Sequence, residues 1–310
     1  MANQRRTIRA INVETRPLVE VVAAALHASI PDHPISKSDA RRVVMAGAVR
    51  VNGQKWSVPS APVPQGARLE IAIDLSRLPG PRRKAAPIPE PRLLFEDAHI
   101  VAVDKPEALP THATADPNRP DLVTLVARRL GVSPGALGVH QRLDAGTSGV
   151  VIFARTPEAN AGLARQFEAR GVDKVYLAVV DARRRPDLAP GEAWVERAPL
   201  ATDGRGRRAR VVAVPEGGQP AETAFRVRAR DGERVLIEAR PKTGRKHQIR
   251  AHLAAARLRI VGDERYGWSG PPCRMMLHAW RLALAHPVSG APFTIEAPVP
   301  PGFRFAGDEA

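Results

Sequence analysis

His140–Ala154 reads HQRLDAGTSGVVIFA, a charged stretch and a Gly/Thr/Ser loop that run into five consecutive apolar residues, Val150 to Ala154. A short apolar run bounded by turn residues predicts a strand buried on both faces. Ile100–Val103 shows the same pattern upstream, and Val175–Val180 reads as a further strand downstream. Between the first two, Leu122, Leu125, Val126 and Arg129 share one face of a helix that Gly131 stops. Thr156 then caps a helix with Pro157 at its first position, and Leu163 and Phe167 face inward until Gly171 ends it. Further on, Thr223, Phe225 and Val227 alternate, Asp231-Gly232 turns the chain, and Val235 and Ile237 alternate on the return, which predicts a β-hairpin.

Upstream of this half, LPGPRRKAAPIPEP (residues 78–91) holds five prolines in fourteen residues with a basic triplet, the composition of a stiff, solvated linker. It divides the chain into residues 1–77, ordered over about 17–75, the linker 78–91, and a large domain over 92–310. In the small module Leu18, Val21, Val22, Ala25 and Leu26 form one helical face. A second helix starts at Ser36 or Ser38 and runs through Val43 and Val44 to Gly47. Val49 and Val51 precede a hairpin turn at Asn52-Gly53, and Leu69, Ile71 and Ile73 alternate.

The 310 residues carry 47 Lys plus Arg against 32 Asp plus Glu, a net charge of +15, and only seven of the 47 are lysine. That balance favours a polyanionic partner, because phosphate contacts dominate nucleic-acid affinity and guanidinium binds phosphate through a planar fork. Hydrophobic residues at 44% exclude a wholly disordered or collagenous chain, and a single cysteine, Cys273, excludes a disulfide framework or a cysteine-based zinc site. MANQRRTIRA lacks an apolar signal region, and no stretch approaches the roughly 18 apolar residues of a membrane span, so the expectation is a cytoplasmic protein with no membrane contact.

Three segments could carry chemistry. Asp144 sits in the loop before a buried strand, with Arg142 two residues earlier, although most Asp residues in such loops only form turns. Lys242–Tyr266 reads KTGRKHQIRAHLAAARLRIVGDERY. A helix opening at Thr243 or Gly244 would set its positive end, Arg245 and Lys246 at a phosphate, with His247 and Arg250 on one face and Ile249 and Leu253 on another. Tyr176, one of two tyrosines, lies in the strand around Lys174–Ala178, where core packing is the commoner role.

In that order RLDAGTSG, KVYLAVV and TGRKHQIRAHL resemble the signature segments of the RluA-type pseudouridine synthases. Val103-Asp104-Lys105-Pro106 with His112, Ile260–Asp263 with Tyr266-Gly267, and Leu277-His278-Ala279 with His286-Pro287 agree, so the likeness spans about Arg92 to Gly302. Ser36-Lys37-Ser38 and Gly47–Gly53 resemble the small RNA-binding module of ribosomal small-subunit protein four. One departure is Gln141, which stands directly before Arg-Leu-Asp where the family usually has histidine; His140 is one place earlier.

The resemblance implies an α+β fold, with a mixed, mainly antiparallel sheet flanked by helices and loops in the catalytic domain and a small α+β RNA-binding module before it. It implies isomerisation of uridine in RNA to pseudouridine without a cofactor or metal, and the sequence carries no GxGxxG, GxxxxGK[ST] or HExxH motif. Asp144 matches the essential carboxylate, acting as nucleophile or through a ribosyl intermediate. Burial lifts a carboxyl above its usual range and a fixed cation lowers it, and Arg250 matches the family's ion-pair arginine. Tyr176 matches the tyrosine that stacks on uracil and is the candidate for moving the ring-carbon proton. Arg142 matches the residue that fills the gap left by the flipped base. Arg245, Lys246, His247, Arg205, Arg207 and Arg208, with Lys37 and Arg41 of the small module, are expected to grip RNA. Large-subunit ribosomal RNA is the favoured partner and the protein is expected to act as a monomer. The competing readings are a non-catalytic RNA-binding ribosome-assembly factor, a synthase acting on transfer RNA, and, less well supported, a hydrolase using Ser148, whose GTSG is not a nucleophile elbow.

Overall fold

The structure is a computed structural model that describes residues 5–30, 37–74, 89–114, 116, 119–204 and 209–306. They divide into two compact units, within residues 1–87 and 88–310. The first unit contains β1 (Arg5–Ile11), β2 (Arg16–Pro17), α1 (Leu18–Ser29), α2 (Lys37–Met45), β3 (Val49–Val51), β4 (Gln54–Trp56), β5 (Pro62–Val63) and β6 (Arg68–Asp74). Its main sheet has the order β1-β6-β3-β4, all antiparallel. The Asn52-Gly53 turn joins β3 to β4 with both residues at positive φ (48° and 83°), the geometry that matches the twist of a two-residue hairpin. Leu18, Val22 and Leu26 of α1 bury against Val49, Leu69 and Ile71 of the sheet, as their spacings require. Ser36 lies outside the described residues.

The second unit contains β7 (Arg92–Glu96), β8 (Ile100–Lys105), α3 (Leu122–Leu130), β9 (Ser148–Ala154), α4 (Pro157–Glu168), β10 (Asp173–Asp181), β11 (Ala193–Glu196), β12 (Leu200–Asp203), β13 (Arg210–Ala213), β14 (Thr223–Asp231), β15 (Arg234–Pro241), α5 (Gln248–Ala255), β16 (Arg259–Ile260), β17 (Leu277–Ala285) and β18 (Pro292–Glu296). Eight strands run β11-β14-β15-β10-β17-β9-β8-β7, with β16 on β10 and β18 on β17. Every pairing in this sheet is antiparallel except β17 with β9. The fold is therefore α+β on a mixed, mainly antiparallel sheet.

Strand β9 is buried along its whole length because both of its faces are covered. Val150, Ile152 and Ala154 pack with Leu163 of α4, whereas Val151 and Phe153 pack with Leu122 and Val126 of α3. Continuous apolarity is what two covered faces demand. Gly149 lets β9 lie against β17: its φ is +115°, and a Cβ there would sit 2.1 Å from the Ala279 carbonyl oxygen. Asp121 caps α3 by accepting from the Thr124 N–H at 3.1 Å, and Thr156 caps α4 by accepting from the Ala159 N–H at 3.3 Å. After α4 it is Arg170, at φ 57°, and not Gly171 that takes the left-handed conformation.

Candidate active site

Asp144 enters at the loop that feeds β9, and its neighbours on both sides are pinned. The Thr111 hydroxyl accepts from the Leu143 N–H (3.1 Å) and donates to the Leu143 carbonyl (2.9 Å). The fully buried Lys105 ammonium donates to the carbonyls of Leu109 (2.8 Å), Pro106 (2.9 Å) and Ala145 (3.2 Å). Burial lowers this ammonium to about 7, against the pull of Asp144 and Asp104.

Arg250, on α5, supplies the counter-charge. Its Nη1 donates to Asp144 Oδ2 at 2.6 Å, while Nε and Nη2 donate to the two oxygens of Asp263 at 2.7 and 2.8 Å. Its side chain is 8% exposed and that of Asp263 is 2% exposed, against 26% for Asp144. Burial opposes the guanidinium charge, but the hydrogen bonds from Asp263 and the charge of Asp144 outweigh it and raise Arg250 above its ordinary range. A lysine could not make this bidentate contact and reach Asp144 at the same time. Gly262, at φ +81° and with only 2.0 Å between an added Cβ and the Arg274 carbonyl oxygen, fixes the tight turn that presents Asp263.

Tyr176 reaches the same place from β10, where the register against β17 slips between Val175 and Tyr176; such a bulge re-aims the side chain that follows it. Burial, with Asp144 nearby, pushes the phenol above its usual range, so it stays protonated and offers a ring face and one O–H. His247 stands on the other side of the acid, its Nε2 3.6 Å from Asp144 Oδ1 and its Nδ1 3.1 Å from the Tyr266 hydroxyl. Burial lowers this imidazole to about 4 despite the attraction of Asp144. The Arg250 guanidinium lies over the Tyr266 ring, 4.9 Å from its centroid.

Asp144, Tyr176, His247 and Arg250 line one cleft of about 920 Å³. Arg142, Arg245 and Lys246 line it too, so seven of the expected site residues share a single cavity. Asp144 keeps a quarter of its side-chain surface in contact with solvent, so the cleft is open to water. Lys37 and Arg41 lie on α2 of the other unit, where Lys37 pairs with Glu20 at 2.9 Å. Arg205, Arg207 and Arg208 fall outside the described residues.

The α5 helix does not open at Thr243 or Gly244. It begins at Gln248, after His247 takes a left-handed φ of 54°. The Gln248 side chain accepts from the Thr243 hydroxyl (2.7 Å) and from the Arg245 N–H (3.0 Å), which folds residues 243–247 into a turn instead. Gln141 donates to the Val150 carbonyl at 3.2 Å, and His140 turns to Asn160 (2.7 Å) and stacks on Phe167. Asp263, Thr111 and Lys105 are the partners that sequence reasoning did not place in the site. Their only signal was their position in segments already quoted or adjoining them.

Two solved human structures, RNA Pseudouridylate Synthase Domain Containing 1 and Domain Containing 4, share the fold with TM-scores of 0.57 and 0.53 at 22% and 24% identity, covering 71% and 68% of this chain and 89% and 90% of theirs. The RNA pseudouridylate synthase family matches residues 99–255. A ribosomal large subunit pseudouridine synthase D from Xylella fastidiosa is 35% identical over 287 residues, 86% of this chain and 82% of its own. Its counterparts in Xanthomonas campestris pv. campestris and Nitrosomonas europaea are 38% and 35% identical over 67% of this chain, and the match spans just under two thirds of their lengths, 66% and 62%. The chain belongs to the RNA pseudouridylate synthase family, in its RluA-type branch.

Proposed function

We propose that this protein converts uridines of large-subunit ribosomal RNA to pseudouridine, with Asp144 as the essential carboxylate. The observation that carries the reading is the 2.6 Å contact of Arg250 with Asp144 in a cleft bordered by Tyr176. In the reaction the bond from ribose C1′ to uracil N1 breaks, the base rotates, C1′ joins C5, and the C5 proton leaves to solvent while N1 gains one. Atoms balance and no electrons are exchanged. Asp144 acts on the ribose, as nucleophile at C1′ or by deprotonating the ribosyl fragment. Arg250, fixed by Asp263, holds the negative charge that either route needs. Tyr176 stacks on the uracil, a role that its protonated phenol suits better than removal of the C5 proton.

A paired base cannot enter the cleft, so the uridine is flipped out at a cost of a few kcal/mol, and the exposed Arg142 beside Asp144 fills the gap. Arg245, Lys246 and His247 meet the RNA at the cleft mouth, and the first unit, with Lys37 and Arg41, is a separate RNA-binding module. Residues 78–91 link the two, and the enzyme acts as a monomer in the cytoplasm. Among the described residues no helix is long and apolar enough to cross a membrane.

The test is release of tritium from RNA labelled at uracil C5. The wild-type protein alone should release label from large-subunit transcripts, and Asp144→Asn should stop release while RNA binding persists. Continued turnover by Asp144→Asn would refute the role of Asp144. Mapping of pseudouridine in cells with and without the gene assigns the target: sites lost only from transfer RNA would overturn the ribosomal assignment.

A further inference from the structure

Beside the main cleft lies a second, smaller cavity of about 190 Å³. The two share His140, Phe167, Lys174 and the Thr243–Arg245 turn, so a ligand in one continues directly into the other. Arg170, Lys174, Lys242 and Arg245 line the small cavity, with Glu168 as its one acidic side chain. Its volume is below the roughly 300 Å³ at which pockets begin to hold drug-sized ligands. A compact anion suits it better than a second base.

Of these four cations, Arg245 donates to the Pro220 carbonyl at 3.1 Å. Among the described residues the side chains of Arg170, Lys174 and Lys242 make no hydrogen bond or ion pair. The carboxylate nearest in sequence, Asp173, is engaged by Arg240 at 3.2 Å. Lys174 is half-buried on β10, two positions before Tyr176, and burial together with the like charge of Arg170 outweighs the attraction of Asp173 and lowers its ammonium below the usual range. Clustered cations repel one another, and a partly desolvated one gains most from a bound anion. Arg170, exposed and at φ 57° in the turn between α4 and β10, lines the same cavity.

We propose that Arg170, Lys174 and Lys242 form a seat for a backbone phosphodiester of the RNA, adjoining the nucleotide that occupies the Asp144 cleft. The proposal rests on the function given above for that cleft. The seat adds a defined point of attachment on the strand leaving the cleft: the phosphate goes into the small cavity, and the stacked His140 and Phe167 rings stand where the two cavities meet. It fixes the direction in which the strand leaves the site without reading a base.

The experiment compares wild type, Lys174→Gln, Lys242→Gln and Arg129→Gln on an unmodified large-subunit RNA transcript, measuring KM, kcat and the salt dependence of binding. Arg129 is exposed on α3, lines neither cavity, and controls for general loss of charge. Lys174→Gln and Lys242→Gln should each raise KM about 3- to 10-fold with the loss absent from kcat, and lower the slope of log affinity against log salt by about 0.7, one single-stranded phosphate contact. Lys242 is exposed, so its variant tests the seat even if the β10 substitution impairs folding. If both variants match Arg129→Gln in KM and slope while pseudouridine still forms, the seat is wrong and the reaction stands. If wild type forms no pseudouridine yet its binding weakens in both variants, the reaction assignment is wrong and the seat stands.

Discussion

The buried charges next to Asp144 are partnered: Arg250 spans two carboxylates, Asp263 accepts twice from it, and the Lys105 ammonium meets three carbonyls. A short way along the same wall Arg170, Lys174 and Lys242 have none among the described residues. The difference separates two uses of charge. Paired charges are organised before substrate arrives, so nothing need rearrange when charge develops in the reaction. Unpaired, partly desolvated cations instead leave their interaction to be made by the ligand, which serves binding rather than chemistry.

Breaking the paired end should cost most. Arg250→Lys keeps a positive charge but loses the fork that joins Asp263 to Asp144, so kcat should fall about 100-fold or more, the roughly 3 kcal/mol typical of losing one preorganised donor at a reacting centre. Single-turnover tritium release checks it, and unaltered kcat would show that the fork is dispensable. Lys105→Met should come next. It leaves buried carbonyls without a donor at a cost of about 2 kcal/mol, read by chemical denaturation, and it lowers kcat because Ala145 is no longer anchored. The sign of its pH dependence follows from the folded ammonium at about 7 against its ordinary 10.5. The unfolded chain binds more protons between those values, so wild-type stability should rise with pH across that window, and the variant should lose this slope.

His247→Gln should have a smaller effect on stability, confined to acid. The folded imidazole sits at about 4 and the unfolded one near 6.5, so this residue costs wild type stability as pH falls from 6.5 toward 4. The Gln variant should therefore lose less stability over that range, by denaturation at pH 7 and pH 4.5. An identical pH response would mean that the imidazole is not held neutral by the fold. Smallest of all is the KM and salt-slope change at the unpaired end, where Lys174→Gln and Lys242→Gln remove one contact each.

Much of the fold was legible because its causes are local. The Asn52-Gly53 turn, the Asp231-Gly232 hairpin, the Thr156-Pro157 cap and the stop at Gly131 each follow from the backbone preference of one or two residues. Helix α5 was misread at its start because Gln248 draws the Thr243 hydroxyl and the Arg245 N–H to its own side chain, a choice that periodicity does not register. The site was legible in its residue types but not in its partners. Arg250 and Asp144 are 106 positions apart, and Thr111 and Leu143 are 32 apart.

By itself the sequence determined where several of the strands and helices form, that the chain carries a large excess of guanidinium, and which acid, arginine and tyrosine resemble a known set. Only the tertiary structure decided that Asp263 shares Arg250 with Asp144, that Lys105 and Thr111 clamp the loop, and that three cations beside the cleft lack partners among the described residues. Local preferences act through bonds a few residues long, whereas charge pairing and burial depend on distances that exist only once the sheet has brought remote segments together.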